Sequence, residues 1–284
     1  VGSEIYSERK NMLYFKRKIA SHWKLLLLMI GICAVSLYCI IDLVIWSDGY
    51  AIENLCYLDI FSFAGFRGFT AVVLPIVGLF LAYRVLHGDF SYDILLRFHN
   101  KSTLYARQGL CLLILSFLLS IVCMVIAGLL SFRYAPQRFY NWNALPEDGF
   151  AYLAASNCID IRAEETVQAI KTYFGALSPV RVLCSQFLTL WIACALPMAV
   201  ELLGKWLGME ILSWILYMGY AGFDAAVMAV NGKPLLFTSL FISPADYLLS
   251  AVPEFRFLIP ICICAALGLI GYLISEKREF LRKE

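Results

Sequence analysis

Charged side chains are scarce in this sequence: Asp, Glu, Lys and Arg together make up 15% of its 284 residues. Soluble domains usually carry about 25% charged residues. Hydrophobic residues amount to 61% of the chain, and they are gathered into long blocks that a soluble fold could not bury. The net charge of +2, without a basic stripe that includes aromatic residues, gives no reason to expect a nucleic-acid partner. The sequence therefore predicts an integral membrane protein.

Familiar catalytic motifs are also missing. Only three histidines occur, His22, His87 and His99, and none lies in a long hydrophobic block. The patterns H-E-x-x-H, G-x-S-x-G and G-x-x-x-x-G-K-[ST] are absent, which argues against a metalloprotease, a serine hydrolase and a P-loop ATPase. We therefore expect that the chain is not an enzyme and holds no cofactor or metal of its own. Any ATP that drives it is hydrolysed by another chain.

The ten cysteines include no C-x-x-C pair, and eight of them fall in hydrophobic segments, where packing is their ordinary role. Cys262 and Cys264 point to different faces of a helix, which is a weak signal for a metal site. Cys56 and Cys158 are the two cysteines in predicted external loops. They could form a disulfide on the oxidising side of the membrane, or they could stay as two free thiols.

Six segments are long and apolar enough to span a membrane, which takes about 20 residues of helix. Backbone groups in lipid must be satisfied within the segment, so these spans are predicted to be α-helices. The predicted fold is an all-α membrane protein with six transmembrane helices, at roughly 25–46, 69–86, 108–132, 180–200, 211–230 and 257–275.

Lysine and arginine set the predicted orientation, because they concentrate in cytoplasmic segments. With both termini inside, 15 basic residues fall in cytoplasmic pieces and 8 in external pieces. Residues 1–24 combine a hydrophobic face at helical spacing with basic residues elsewhere, which favours an amphipathic helix on the inner leaflet. A solvated basic arm is the alternative. Residues 276–284 form a short basic cytoplasmic tail.

Two external segments are unusual. Residues 133–180 are too long for a structureless loop, so they predict a small external domain with a helical pattern near 162–175. Residues 234–253 are apolar but interrupted by prolines, and each half is too short to span. This pattern predicts a re-entrant hairpin between the spans in 181–275, with two interfacial helices as the alternative.

Charged residues within the predicted spans are rare, and such charges are functional candidates. Asp224 is the clearest case, and its small neighbours would allow close approach of another helix. It could contact substrate or an ion, pair with Arg181 or Arg256, or simply be hydrated near the surface. Glu201, beside the short inner turn, is predicted to be solvated.

The cytoplasmic loop 87–107, which follows the first two of the three spans in 25–132, predicts a short amphipathic helix standing off the membrane. An ordinary surface connector is the alternative. Its residues include His87-Gly88-Asp89, Asp93, Leu95-Leu96-Arg97, Lys101 and Arg107.

This arrangement resembles the permease subunits of type-2 ABC exporters, which have an interfacial elbow helix, six spans, a coupling helix after span two and a re-entrant hairpin before span six. The resemblance implies that an ATP-binding cassette subunit docks on the coupling loop and that ATP and Mg²⁺ bind to that partner. It also implies a second permease and an amphipathic, peptide or lipid-like substrate in a bacterial cell membrane. The residues that match the coupling loop are Gly88, Asp89, Asp93, Leu95, Leu96, Arg97 and Lys101.

Three other functions remain open at this stage. An ion-coupled secondary transporter would use Asp224 and should show an inverted repeat, which the sequence does not reveal. A lipid-modifying enzyme would need more polar residues at one membrane surface. A non-transporting protein could bind a partner through 133–180.

Overall fold

The computed structural model describes residues 2–47, 49–87, 89, 101–135, 138–231 and 240–277. Side chains are described from Tyr14 onward within these ranges, except at nine positions of the helix Glu210–Asn231, Asp224 among them. Every regular element in this part of the chain is helical. The α-helices are α1 (Gly2–Ser47), α2 (Tyr57–Phe63), α3 (Leu74–Leu86), α4 (Lys101–Tyr134), α5 (Phe150–Ser156), α6 (Glu164–Ala176), α7 (Pro179–Leu207), α8 (Glu210–Asn231), α9 (Pro244–Leu249) and α10 (Leu258–Lys277).

Five helical segments in the described residues are long and apolar enough to cross a membrane, which is consistent with a multi-pass membrane protein. They are Tyr14–Ser47, Tyr57–Leu86, Lys101–Tyr134, Pro179–Leu207 and Pro253–Lys277. The all-helical fold predicted from the sequence is thereby confirmed. The sixth predicted span coincides with α8, which is helical over 22 residues. The count of six spans and the cytoplasmic termini remain predictions.

Helix α7 occupies the centre of the bundle and packs against α3, α4, α8 and α10. Pro179 opens this helix at a position where the missing N–H costs nothing. Gly208 ends it in the left-handed conformation, at φ 75°, which glycine adopts without a steric penalty. The Met209 amide then donates to the Gly204 carbonyl at 2.8 Å. The turn into α8 is therefore dictated locally by the sequence.

The second membrane segment is longer than the sequence pattern predicted. Helix α2 begins at Tyr57, and a stretch of π-helix over Gly68–Val73 connects it to α3. The predicted span at 69–86 therefore starts twelve residues too late, and residues 57–68 belong to the same helical segment. Asp59, Ser62 and Arg67 interrupt the apolar pattern of residues 57–68, which obscured the start of the helix.

At its N-terminus the chain is helical without a break from Gly2 to Ser47. The predicted interfacial segment 1–24 and the first predicted span therefore belong to one helix of 46 residues. How its first part lies relative to a membrane remains a prediction.

A cap, which the sequence places on the external side, covers one end of the bundle and consists of the described residues 138–178 and 240–252. Helix α6 occupies the place where the pattern near 162–175 predicted it. The core of the cap is aromatic and fully or almost fully buried, with Phe63 of α2 entering it from the bundle. Its rings make edge-to-face and tilted contacts with centroids 5.1–6.4 Å apart, chiefly among Phe63, Trp142, Phe150, Phe174 and Tyr247. Long-range aromatic packing, rather than local propensity, holds this cap together.

Candidate functional site

Asp89 is the centre of a buried polar network at the end of the bundle opposite the cap. It follows α3 and is 2% exposed. One carboxylate oxygen lies 2.7 Å from the Lys18 ammonium. The other oxygen accepts hydrogen bonds from the Tyr14 hydroxyl and, at 3.3 Å, from the Gln108 side-chain amide. Three donors from two different helices therefore converge on one carboxylate.

The network continues into the central helix. The Gln108 amide oxygen accepts a hydrogen bond from the Trp206 indole N–H at 2.7 Å. On the other side, the Lys18 ammonium donates to the Val85 carbonyl in the last turn of α3. We call Tyr14, Lys18, Asp89, Gln108 and Trp206 the Asp89 network. It joins α1, the end of α3, α4 and α7 through groups that burial makes costly to leave unpaired.

The predicted coupling loop is only partly described. Asp89 and Lys101 belong to the described residues, whereas Gly88, Asp93, Leu95, Leu96 and Arg97 lie outside them. Asp89 faces the interior of the bundle, so its carboxylate anchors the start of the loop and is not presented to a docking protein. Lys101 opens α4 and is partly exposed.

Sequence reasoning missed the partners of Asp89. Gln108 and Trp206 lie 19 and 117 positions from Asp89 along the chain, and no local pattern connects them to it. Tyr14 and Lys18 did carry a signal, because residues four apart share one face of a helix. Lys18 was interpreted only as one of the basic residues of an interfacial helix, yet it binds the carboxylate of Asp89 after α3.

Glu201 corrects another prediction. It was expected to be solvated, but its side chain is fully buried and accepts a hydrogen bond from the Ser213 hydroxyl. The physical reason is that α7 continues to Leu207, which places Glu201 almost two helical turns inside the helix, against the start of α8. Lys205, one turn further, is also buried and lies 4.3 Å from the centre of the Tyr83 ring.

The described part of the predicted hairpin is attached along one side of α7. The Thr189 hydroxyl donates to the Leu240 carbonyl at 2.9 Å, and the Gln186 amide donates to the Ile242 carbonyl at 3.2 Å. Leu240 and Ile242 are buried and not in a helix. We call these contacts the α7 ladder. Side chains of α7 thus satisfy backbone carbonyls that no helix of their own could satisfy.

The α7 ladder also gives the position of this segment along α7. Thr189 lies ten residues after the start of α7 at Pro179, which corresponds to about 15 Å along the helix. A hydrocarbon core is about 30 Å thick. Leu240 therefore lies about 15 Å along α7 from its start, a placement that agrees with the predicted re-entrant segment, whose position in a membrane remains a prediction.

Asp224 is carried on the described backbone of α8, whereas its side chain lies outside the described set. Both arginines considered as its partners bind other carboxylates. Arg181 contacts the two Glu254 oxygens at 2.6 and 2.8 Å, and Arg256 lies 2.6 Å from Asp246. These pairs hold the cap and the start of the last span onto the bundle.

Cys56 and Cys158, considered as a disulfide pair, are both free. Cys56 is fully buried at the start of α2, while Cys158 is exposed at the end of α5. Burial raises the pKa of the Cys56 thiol above its usual range, so the thiol stays protonated and unreactive. It packs beside Asp59, whose carboxylate accepts hydrogen bonds from the Cys56 amide at 2.8 Å and the Trp142 indole at 2.6 Å.

No protein-family model, curated protein or solved structure matches this chain. The functional argument therefore depends on the geometry alone. What the Asp89 network can do is transmit a displacement of the loop after α3 to three long helices at once.

Proposed function

We propose that this chain is the membrane-spanning subunit of an ATP-driven exporter of the type-2 ABC class, in a bacterial cell membrane. The observation that supports the proposal is the Asp89 network. A loop on which an ATP-binding subunit docks must be attached firmly to the helices that it moves. Asp89 attaches the start of this loop to α1 and α4 directly and to α7 through Gln108, and Lys101 at its end is already part of α4.

In this proposal, the energy comes from a partner. Two ATP-binding subunits close when ATP and Mg²⁺ bind to them, and their motion reaches the spans through the loop after α3. Packed helices switch between discrete arrangements as rigid bodies. ATP shifts that equilibrium only as far as it favours one arrangement of the assembly over the other. A second permease, identical or different, completes the path for an amphipathic, peptide or lipid-like substrate.

In this proposal, the α7 ladder attaches the re-entrant segment to α7 on the predicted exit side. Because the re-entrant segment is fixed to α7, a displacement of α7 at its inner end also moves the segment at its outer end. The two ends of α7 are about 43 Å apart for its 29 residues. One helix therefore connects the predicted docking side to the predicted exit side.

The decisive experiment is purification of the tagged chain from its native membrane in mild detergent, followed by identification of the co-purifying proteins and an ATPase assay. We expect an ATP-binding cassette subunit in stoichiometric amount and measurable ATP hydrolysis. A chain that elutes alone, without ATPase activity, would contradict the proposal.

A pair of charge reversals then tests the docking loop. Asp93→Arg should leave membrane insertion intact but weaken recovery of the ATP-binding subunit, because Asp93 belongs to the predicted docking segment. Arg162→Glu is the matched control, since Arg162 lies in the cap with its side chain 95% exposed. Equal recovery of the ATP-binding subunit with both variants would show that the loop is not the docking site.

A further inference from the structure

A crevice lies between α4, α7 and α10, away from both the Asp89 network and the α7 ladder. Its volume is about 250 Å³. It exists because small residues meet there from all three helices, leaving space that larger side chains would fill. These residues are Ala106, Gly109, Ala195, Ala199 and Gly268.

The crevice has a floor and an open side. Tyr105 forms the floor: its hydroxyl donates to the Leu267 carbonyl at 3.3 Å, and its ring meets Trp206 edge-to-face at 5.7 Å. Gly271 allows this close approach, because a Cβ at that position would lie 2.1 Å from the tyrosine oxygen. Leu110 and Leu113 line the crevice and are 45% and 50% exposed, so it opens sideways onto the outer surface of the bundle.

The length of the crevice matches one leaflet. It runs along α4 from Tyr105 to Ser116, which is about 16 Å at the rise of an α-helix. Half of a hydrocarbon core is about 15 Å. Apolar cavities stay dry and take up apolar molecules of fitting shape. In a lateral opening within a membrane, the apolar molecule at hand is a lipid chain.

The charges beyond the floor specify the headgroup. Lys101 precedes Tyr105 by one turn on the same face of α4, and Lys277 ends α10 less than two turns after Gly271. Both lysines therefore lie at the same end of the bundle as Tyr105, the floor of the crevice. Cations at a membrane surface attract anionic headgroups, and lysine can reach them while its stem stays in contact with apolar groups.

We propose that this crevice binds an acyl chain of an anionic phospholipid, whose phosphate is held near Lys101 and Lys277. The lipid enters from the side, past Leu110 and Leu113, and its chain packs against the small residues of α4, α7 and α10. The site fastens α10 to the bundle by filling the space between the three helices. The proposal requires only that the helices lie in a membrane, and it does not depend on transport.

The test is photo-crosslinking in reconstituted vesicles of phosphatidylglycerol or phosphatidylcholine. Each vesicle contains a small fraction of its own lipid with a diazirine near the middle of one acyl chain, and mass spectrometry maps the adducts. In phosphatidylglycerol we expect adducts concentrated on 105–116 and 264–268, well above those on the exposed face of α1. Phosphatidylcholine should label these residues more weakly. Equal labelling by the two lipids, or equal labelling of the crevice and α1, would overturn the proposal.

Two substitutions sharpen this test. Gly268→Leu should reduce crevice labelling several-fold, because no atom lies within 4 Å of a Cβ at this position and the side chain can occupy the crevice. Gly31→Leu is the control, since Gly31 in α1 has equally open surroundings. If the crevice residues of both variants are labelled as strongly as those of the original protein, the acyl chain does not occupy the crevice.

The headgroup is tested by charge removal. Lys101→Gln and Lys277→Gln should each lower labelling in phosphatidylglycerol by roughly five-fold, the effect expected of one lysine near an anionic surface. Lys24→Gln, at an exposed position of α1, should not change crevice labelling. Unchanged labelling in the double variant Lys101→Gln with Lys277→Gln would refute the proposed phosphate contact.

Discussion

The two ends of the bundle are held together in different ways. In the cap, Trp142 alone contacts the rings of Tyr140, Phe150, Phe174 and Tyr247, so the contacts are spread over several rings. At the opposite end, side chains of α1 and α4 converge on the carboxylate of Asp89.

The same kind of ion pair also has different surroundings at the two ends. The side chains of Arg181 and Glu254 beside the cap are 36% and 22% exposed, whereas those of Lys18 and Asp89 are 13% and 3% exposed. Water screens the first pair, and its loss should be tolerated. Removal of one partner from the second pair would leave a buried charge without compensation. The stability of the end with the Asp89 network therefore depends chiefly on one residue, whereas the stability of the capped end depends on many.

The largest effect is expected at Asp89. Asp89→Ala should lower the free energy of unfolding by about 3–5 kcal/mol, since it leaves the Lys18 ammonium buried and unpaired. Thermal unfolding in detergent measures this loss. Asp160→Ala is the control, because Asp160 is 79% exposed and lies 3.9 Å from Arg162. Similar losses of unfolding free energy in both variants would show that burial does not strengthen the Lys18–Asp89 pair.

A double variant distinguishes lost charge from lost shape. Lys18→Met combined with Asp89→Leu should recover most of the stability lost in Asp89→Ala, because a buried ion pair can be replaced by apolar groups of similar volume at little cost. If the double variant is less stable than Asp89→Ala, the hydrogen bonds of Tyr14 and Gln108 carry the effect rather than the unpaired charge.

A smaller effect is expected in the cap. Trp142→Phe keeps most ring contacts but removes the donor to Asp59 at 2.6 Å, and an unpaired buried acceptor costs about 1–3 kcal/mol. Limited proteolysis in intact vesicles measures the protease sensitivity of the cap, and thermal unfolding measures the loss of stability. Trp46→Phe serves as the control, because Trp46 is 70% exposed in α1. Equal protease sensitivity of the two variants would contradict a structural role for the indole N–H.

The smallest effect is expected at the α7 ladder. Thr189→Val keeps the side-chain shape but removes the donor to Leu240, and hydrogen bonds between membrane segments are worth about 0.6 kcal/mol on average. Hydrogen exchange read by mass spectrometry should speed up for residues 240–252 and remain unchanged in α6. Thr172→Val is the matched control, since its hydroxyl bonds within α6 to Gln168. Faster exchange throughout the protein in Thr189→Val would mean a global rather than local change.

The helices and several of their boundaries could be predicted from local chemistry. Long apolar blocks must be helical in lipid, and five of the six predicted spans lie within helices that contain them almost completely, α1, α4, α7, α8 and α10. The start of the second segment was missed by a dozen residues, because Asp59 and Ser62 interrupt its apolar pattern. Both residues are buried, and Ser62 bonds within its own helix, whereas Asp59 accepts a hydrogen bond from Trp142, 83 positions away. Composition cannot show that a polar residue has a partner far away in the chain.

The features of the candidate site also fall into those that local sequence could predict and those that it could not. From the sequence alone it could be predicted that the chain is helical and apolar enough for a membrane, that the loop after α3 is a candidate functional segment, and that residues 234–253 are too short and too broken to span. Period, length and composition are local properties, so they can be found without a structure. The three-dimensional packing was needed to show that Asp89 faces inward toward Lys18 and Gln108, that Glu201 is buried, and that α7 side chains bond to the carbonyls of Leu240 and Ile242. These outcomes follow from pairings across tens of residues, where the cost of burying an unpaired polar group selects one arrangement among many.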